Sequence, residues 1–389
     1  MNLGRPVFAQ IMDWVPLHEF RKCVARYCGD HRVRTLSCLD QFYCMSFAQL
    51  SFRESLRDIE ACLRGAPSKL YHLGIRGRVS RSTLADANES RDCRIYSDFA
   101  QVLMQTARRL YANDEWALNL ERAVYAFDSS VIELSLRMFP WAEYKPHASG
   151  MKLHALLNVA TNIPTFVRVT RAKVHDVNLL DELPIEPGAI YVMDRGYVDY
   201  GRLFRISQSG AFFVTRPRKS FRFRRTKSNP VDQTTGVRVD QTVRLVSFYP
   251  AKSYPDSLRR IRYIDIERNK HLTFITNNFA WTALTIADLY KSRWQVELFF
   301  KWLKQHLRIK AFFGTSENAV KTQIWIALSV YLILAILRKE LALPHSLHTL
   351  SQIFSVNLFE KTPLRQLLTD ASCTQIEDEV HKSKMLFDF

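Results

Sequence analysis

The chain has 389 residues, enough for two or three domains each with its own core. A hydrophobic content of 47% excludes a disordered or fibrous chain, and seven cysteines without a CxxC pair argue against a disulfide scaffold. Fifty-five Lys and Arg against 38 Asp and Glu leave a net charge of +17, which suits a polyanionic partner, nucleic acid first.

Met1 to Val15 lacks the basic-then-apolar pattern of a secretion signal. The longest apolar run, Ile324 to Leu337, is shorter than the roughly 20 residues of a membrane span and reads as a buried helix. A cytosolic protein away from membranes is the expectation. Cys23, Cys28, His31 and Cys38 cluster, but their spacing fits no standard zinc pattern, so structural thiols are preferred. Residues 1 to about 70 read as helices. Leu50 to Leu63 has helical apolar spacing, and Ser51 three residues before Glu54 is a capping-box signature. A basic link, Gly74 to Arg78, leads to a helix starting at Ser80. Two helices around a basic link are a candidate helix-turn-helix DNA reader; a plain helical bundle is the alternative.

A helix from about residue 95 to Leu118 precedes a strand at Arg122 to Phe127. Strands follow at Lys152 to Val159 and Thr165 to Val169, then a helix capped by Asp176 and a buried strand at Ala189 to Met193. Helix Asp199 to Gln208 and strand Ala211 to Thr215 complete a mixed α/β pattern. Arg216 to Lys227 then holds seven basic residues and no acidic one, with Phe221 and Phe223 interleaved. With the alternating stretches Asp240 to Phe248 and Leu258 to Ile266, residues 216 to about 270 read as a basic β insertion. His271 to Thr276 resumes the core as a strand.

Tyr290 to Lys304 contains no Gly or Pro and reads as one amphipathic helix. Tyr290, Arg293, Glu297, Lys301 and Lys304 share a face, opposite Leu298, Phe299, Trp302 and Leu303. A solvated charged face is the plain reading of such a helix. The division that results is a helical N-terminal domain at 1–95, an α/β domain at 96–340 and a helical tail at 341–389.

Asp128 and Asp194 each end an apolar strand, where an α/β sheet binds its ligands. Either could simply cap the next turn. Two of them, with a helix presenting Glu297, form a set of acids that repel one another unless a cation intervenes. Hard oxygen donors select Mg²⁺ or Mn²⁺, and two such ions can drive phosphodiester cleavage. Arg293 and Lys304 would then hold phosphates, and the Tyr290 hydroxyl could donate to a phosphate oxygen. Lys152 and His154 alternate on one strand and could face the same site, whereas His175 beside Asp176 reads as structural.

Tyr290-x₂-Arg293-x₃-Glu297-x₆-Lys304 resembles the Y-R-E-K signature of insertion-sequence-4 family transposases. Asp194-Arg195-Gly196-Tyr197, Asp128-Ser129-Ser130, Gly314 to Asn318 and Gln323 to Trp325 also resemble that family, so the likeness runs from about Val124 to Leu337. It implies an RNase H-like mixed sheet flanked by helices, with a β insertion before the glutamate. It implies a D-D-E triad of Asp128, Asp194 and Glu297 binding Mg²⁺, with Mn²⁺ as a substitute, and cut-and-paste transposition through a DNA hairpin. Tyr290, Arg293 and Lys304 would hold terminal phosphates, including those of a flipped nucleotide. Arg195 and Lys301 complete the phosphate-binding candidates, although the family pattern does not call for Lys301. Phe274, Trp281 and Trp294 are the candidates to stack on a flipped base. The implied partners are double-stranded DNA, as terminal inverted repeats and as target, and a second copy of the chain assembled on that DNA. A relative without chemistry that only binds DNA is the alternative, as is another two-metal nuclease on the same fold.

Overall fold

Serine caps set the starts of three of the early helices and prolines two others. Prolines precede α1 (Val7–Met12) and α2 (Leu17–Arg26), and Ser37 makes a capping box with Asp40 at the head of α3 (Cys38–Leu50). Next come α4 (Leu56–Arg64), the short α5 (Pro67–Leu70), α6 (Arg81–Ser90), which starts at Ser80 as expected, and α7 (Arg94–Leu110). The continuous helix expected over Leu50 to Leu63 is interrupted. Phe52 turns to a φ of 55°, and the chain re-enters helix at Ser55, whose hydroxyl accepts the Asp58 N–H. The cap therefore lies one turn beyond the Ser51–Glu54 pair.

The strands are β1 (Val124–Leu134), β2 (Glu143–Lys145), β3 (Ala148–Asn158), β4 (Pro164–Arg171), β5 (Ile190–Met193) and β6 (Phe212–Thr215). After α8 (Tyr200–Gln208), which precedes β6, come β7 (Phe223–Ser228), β8 (Val237–Leu245), α9 (Phe248–Ser253), β9 (Leu258–Asp265) and β10 (Lys270–Thr276). The chain continues through α10 (Ala283–Ser292), α11 (Trp294–His306), α12 (Glu317–Glu340) and α13 (Leu347–Asn357). This computed structural model describes residues 4–114, 122–265, 270–306 and 312–369. The last stretch of the helix expected to reach Leu118 and the end of the tail at 341–389 lie outside the described residues.

Among the described residues, all ten strands join one mixed sheet in the order β2-β3-β1-β5-β6-β10-β9-β8-β7, with β4 on β3. The β4-β3-β1 part is antiparallel, and β5 and β6 run parallel to β1, the RNase H-like arrangement expected. The strand expected to resume the core, β10, pairs antiparallel with β6 through Ile275–Thr215 and Thr276–Val214, and the insertion strands β9, β8 and β7 prolong the same sheet beyond it. On one face, Phe127, Tyr191, Met193 and Phe213 pack with Leu203 and Ile206 of α8 into a core that also takes Val243, Leu258 and Tyr254.

The chain divides into two compact units. One comprises Asp114–Leu136 and Ala142–Phe300; the other comprises Met1–Asn113, Arg137–Trp141 and Lys301–Phe389. The helical unit thus gathers both α7 and α12 with the N-terminal helices. Apolar on all sides, α12 packs against α7, α3, α6 and α13. By length and composition it could cross a membrane, but 94% of its apolar stretch is buried in the protein. Asn318, in the segment noted for its family likeness, accepts the Cys93 N–H and donates to the carbonyls of Asn88 and Arg91. That residue ties the start of α12 to the α6–α7 junction.

In the sheet unit a buried ion pair fastens the insertion to the approach of α10. Arg259 on β9 holds Asp240 on β8 at 2.7 and 2.9 Å and donates to the carbonyls of Asn278 and Trp281. Both side chains are at most 7% exposed. Replacing only one member strands a buried charge, at a cost of about 3–5 kcal/mol. Asp240→Ala should therefore lower the unfolding free energy by that amount in a denaturant titration, and an unchanged midpoint would show that the pair carries no structural weight.

Candidate active site

The site forms where β1 and β5 part. Their parallel pairing runs from Val124–Ile190 to Phe127–Met193 and stops there. Asp194 follows β5 directly, as its sequence suggests. Asp128 does not end its strand: β1 continues to Leu134 because β3 still pairs with it, Asp128 opposite Ala155. What ends at Asp128 is the partner on the other side, and the two aspartates therefore open on the same gap in the sheet.

Tyr290 to Lys304 is two helices and not one. Ser292 bonds its hydroxyl back to the Leu289 carbonyl, and the Arg293 N–H reaches the Tyr290 carbonyl, a tighter i→i−3 turn that ends α10. Arg293 sits at the joint, with Glu297 in the first turn of α11. The buried side of α11 is Val296, Phe299, Phe300 and Leu303, while Leu298 is 39% exposed.

The joint carries Arg293 to two of the acids. Its guanidinium donates to Asp128 Oδ2 at 2.7 Å and to Glu297 Oε1 at 2.5 Å. Tyr290, packed on Phe274, donates its hydroxyl to Asp194 Oδ1 at 3.3 Å. Two residues of one spaced motif thus meet the two aspartates, and the third, Glu297, joins them through Arg293. Arg195 is exposed in the turn after Asp194, and Lys301 and Lys304 stand one and two turns beyond Glu297 along α11, Lys301 exposed and Lys304 half-buried.

Burial pushes the Asp128 carboxyl up to about 6, with Glu297 and Asp194 adding to the rise while the Ser129 N–H and Arg293 oppose it. Burial works against the Arg293 charge, but Asp128, Tyr290 and Glu297 outweigh it and hold the guanidinium protonated. Burial and Asp194 raise Tyr290. The acids offer only hard oxygen donors, which fit Mg²⁺ or Mn²⁺ in kind. Among the described residues no three acidic, His or Cys side chains lie close enough to grip an ion as they stand. In this arrangement Arg293 supplies the positive charge to Asp128 and Glu297. Cys23, Cys28, His31 and Cys38 likewise form no metal group; the three cysteines are free thiols, with Cys23 and Cys38 buried.

Beside Asp128 lies a polar cluster of Ser129, Lys152, His154 and Asp176, of which the sequence suggests only Lys152 and His154 as facing the site. Asp176 does not cap a helix; His175 precedes a single 3₁₀ stretch, and Asp176 Oδ1 instead accepts the Ser129 hydroxyl at 2.8 Å and Lys152 Nζ at 2.9 Å. Ser129 in turn gives its N–H to Asp128 Oδ1 at 2.8 Å. His154, fully buried, bonds Thr170 through Nε2. Arg216, in sequence only one member of a basic run, follows β6 and stands close enough to Tyr290 to favour its ionised form. A charged residue just past a strand next to β5 is the signal by which it could be found.

Burial holds His154 down to about 4, with Asp176 pulling the other way. The folded pKa lies below the unfolded value of about 6.5, so the stability it contributes is present above pH 6.5 and lost as pH falls through about 4. His154→Gln keeps a donor for Thr170 but does not titrate. Its melting temperature should fall less than the parent's between neutral pH and pH of about 4; parallel curves would rule out a neutral buried imidazole.

Residues 120–333 match the transposase DDE domain family, and residues 3–76 match a domain of unknown function, DUF4372. A putative transposase, y4zB, of Sinorhizobium fredii is 36% identical over 259 residues, covering 65% of this chain and 70% of that protein. A probable transposase for insertion sequence element IS5377 of Geobacillus stearothermophilus is 31% identical over 222 residues, covering 56% of this chain and 57% of its own. The cryo-EM structure of a piggyBac transposase synaptic complex with hairpin DNA aligns with a TM-score of 0.47 at 11% identity, over 95% of this chain and 85% of that one. The family match spans more than half of the chain and includes both aspartates, Tyr290, Arg293 and Glu297, and the chain belongs to the DDE transposase family.

Proposed function

We propose that Asp128, Asp194 and Glu297 are the D-D-E triad of an insertion-sequence-4-type transposase. The observation that carries this reading is the Arg293 bridge between Asp128 and Glu297, with Tyr290 on Asp194. A merely solvated helix face gives no reason for its tyrosine and arginine to reach acids 96 and 165 residues away at the gap between β1 and β5. Asp128, Asp194 and Glu297 would hold Mg²⁺, or Mn²⁺ in its place. Bound there, the metal would activate the attacking water or 3′-hydroxyl and stabilise the leaving oxygen.

The protein groups then have distinct tasks. Arg293, held charged by its neighbours, passes from Asp128 to a phosphate and fixes it bidentately. Tyr290 orients Asp194 in the free protein and donates to a phosphate oxygen when DNA arrives. Lys304, with Arg195 and Lys301, adds point charges along the strand. Of the three aromatic candidates, Phe274 is fully buried and Trp281 leans on Phe212, whereas Trp294, beside Arg293, is 51% exposed. Trp294 is the one free to stack on a flipped base.

In this reading the protein binds the terminal inverted repeats of its element through the helical N-terminal region and works as a homodimer assembled on DNA. It cuts through a hairpin intermediate, excises the element and joins it to target DNA, in the cytoplasm at the nucleoid. The test is a DNA carrying the element end, incubated with protein and Mg²⁺ and resolved on a denaturing gel. Hairpin-ended product is expected. Asp128→Ala, Asp194→Ala and Glu297→Ala should each reduce cleavage to background with end binding kept; near-normal cleavage by any one would remove it from the triad. Binding without cleavage by the parent chain would favour the DNA-binding relative.

Arg293→Ala removes charge-assisted bonds of about 1.5–3 kcal/mol and should slow cleavage roughly 10- to 150-fold. At limiting metal, cleavage should fall as pH drops through about 6, since protonated Asp128 is no longer a ligand. A flat profile across that window would show that Asp128 does not titrate as its burial dictates.

A further inference from the structure

The helical unit contains a cleft of about 610 Å³ between α2, the turn after it and the Gly74–Arg76 link. That volume falls in the usual range for small-ligand sites, about 300–1,000 Å³. Its floor is apolar: Ala25 and Val33 are exposed and Leu39 half-buried over the core residues Phe20, Val24 and Leu36. Its rim carries Arg21, Arg34 and Arg76, all exposed, and among the described residues no acid pairs with any of them.

The acids nearby are already engaged by the backbone. Asp30 accepts the Cys38 N–H at 2.6 Å, and Asp40 accepts the Arg76 N–H at 3.1 Å and the Ser37 N–H at 2.8 Å. The cleft is also built, and not merely left between helices. Arg91, 8% exposed, reaches under it to the carbonyls of Ser37 and Leu36 and to Gln41. Gln41 is held in turn by Asn88 at 2.7 Å and Tyr96 at 2.8 Å. Gly29 fixes the turn, because a Cβ there would lie 2.5 Å from Ile95 and 2.8 Å from Cys38. Cys28 and Arg32 flank it at φ of 50° and 57°, a conformation that side chains adopt only when their surroundings impose it.

We propose that this cleft binds one unpaired nucleotide of a DNA strand, its base against the apolar floor and its phosphates on the arginine rim. An unpaired nucleotide joins a flat apolar face to an anion on each side, which is what floor and rim together can satisfy. A paired duplex presents only its phosphates here, because its bases stay stacked. The inference rests on the chain being a transposase and not on the roles of Asp128, Asp194 and Glu297.

The test measures binding of the full chain to a short labelled single strand and to a blunt duplex of the same sequence, without divalent metal. A wrong triad assignment leaves that measurement untouched. Ala25→Leu crowds the cleft with an aliphatic side chain without changing charge and should weaken single-strand binding about tenfold, while duplex binding stays within about twofold. Thr35→Leu fills the same space from the other rim and replaces it if the first variant melts early. Arg34→Gln with Arg76→Gln should lower the slope of log K against log salt by about 0.7 for each phosphate the rim no longer neutralises. Equal losses for both DNAs would reduce the rim to a general basic surface and overturn the proposal. So would no loss at all, or deoxyadenosine monophosphate competing at a lower concentration than the strand, which would make the site one for a free nucleotide.

Discussion

The sheet unit is arranged around one charge problem. Two aspartates open on the gap between β1 and β5, and a glutamate faces them from α11. At a separation of about 4 Å two like charges repel by about 4 kcal/mol in a partly buried setting. Arg293 answers this by standing between Asp128 and Glu297. Its bond to Glu297 is the ordinary i,i+4 contact of a helix, and its backbone stays helical at the turn between α10 and α11, so the same side chain also reaches Asp128. The arginine balances two of the acids, and in the proposed reading that balance is what a metal ion and a DNA phosphate would take over.

Much of the scaffold is legible in the sequence because apolar alternation and caps dominate it. β5, β6, α8 and β10 fall within a residue or two of the stretches their sequences define. The motif Tyr290, Arg293 and Glu297 is legible as a spacing, and the spacing brings its residues to the aspartates. The sequence misleads where a partner distant along the chain decides the outcome. Asp128 looks like a strand end because the apolar run stops, yet β3 carries the strand on to Leu134. Asp176 looks like a helix cap because caps are the usual use of an aspartate before a polar turn, yet Lys152 and Ser129 claim its carboxylate. The break at Arg293 has no Gly or Pro to announce it. What the alternation of the insertion does not reveal is that its strands continue the core sheet through β10.

A common construction recurs. Asp240–Arg259 lies behind the approach to α10, Ser129–Asp176–Lys152 behind Asp128, and Arg91–Gln41–Asn88 behind the cleft of the helical unit. Each is a polar cluster whose members bond one another. Apolar packing alone tolerates small slides; a hydrogen-bonded cluster admits one arrangement.

The distance along the chain between the acids and their cation has a consequence for synthesis. Asp128 and Arg293 are 165 residues apart. At about 5–20 residues per second, a ribosome takes roughly ten to thirty seconds to make the segment between them. During that interval the growing chain already holds Asp128, and later Asp194, with neither the guanidinium nor the tyrosine that meets them. The helical unit waits longer still, since Gln10 bonds the Thr362 carbonyl 352 residues away. The nascent polypeptide therefore spends less than half of its synthesis with Asp128 made and Arg293 not, but most of it with an unclosed helical bundle, and chaperones have their longest access to it then.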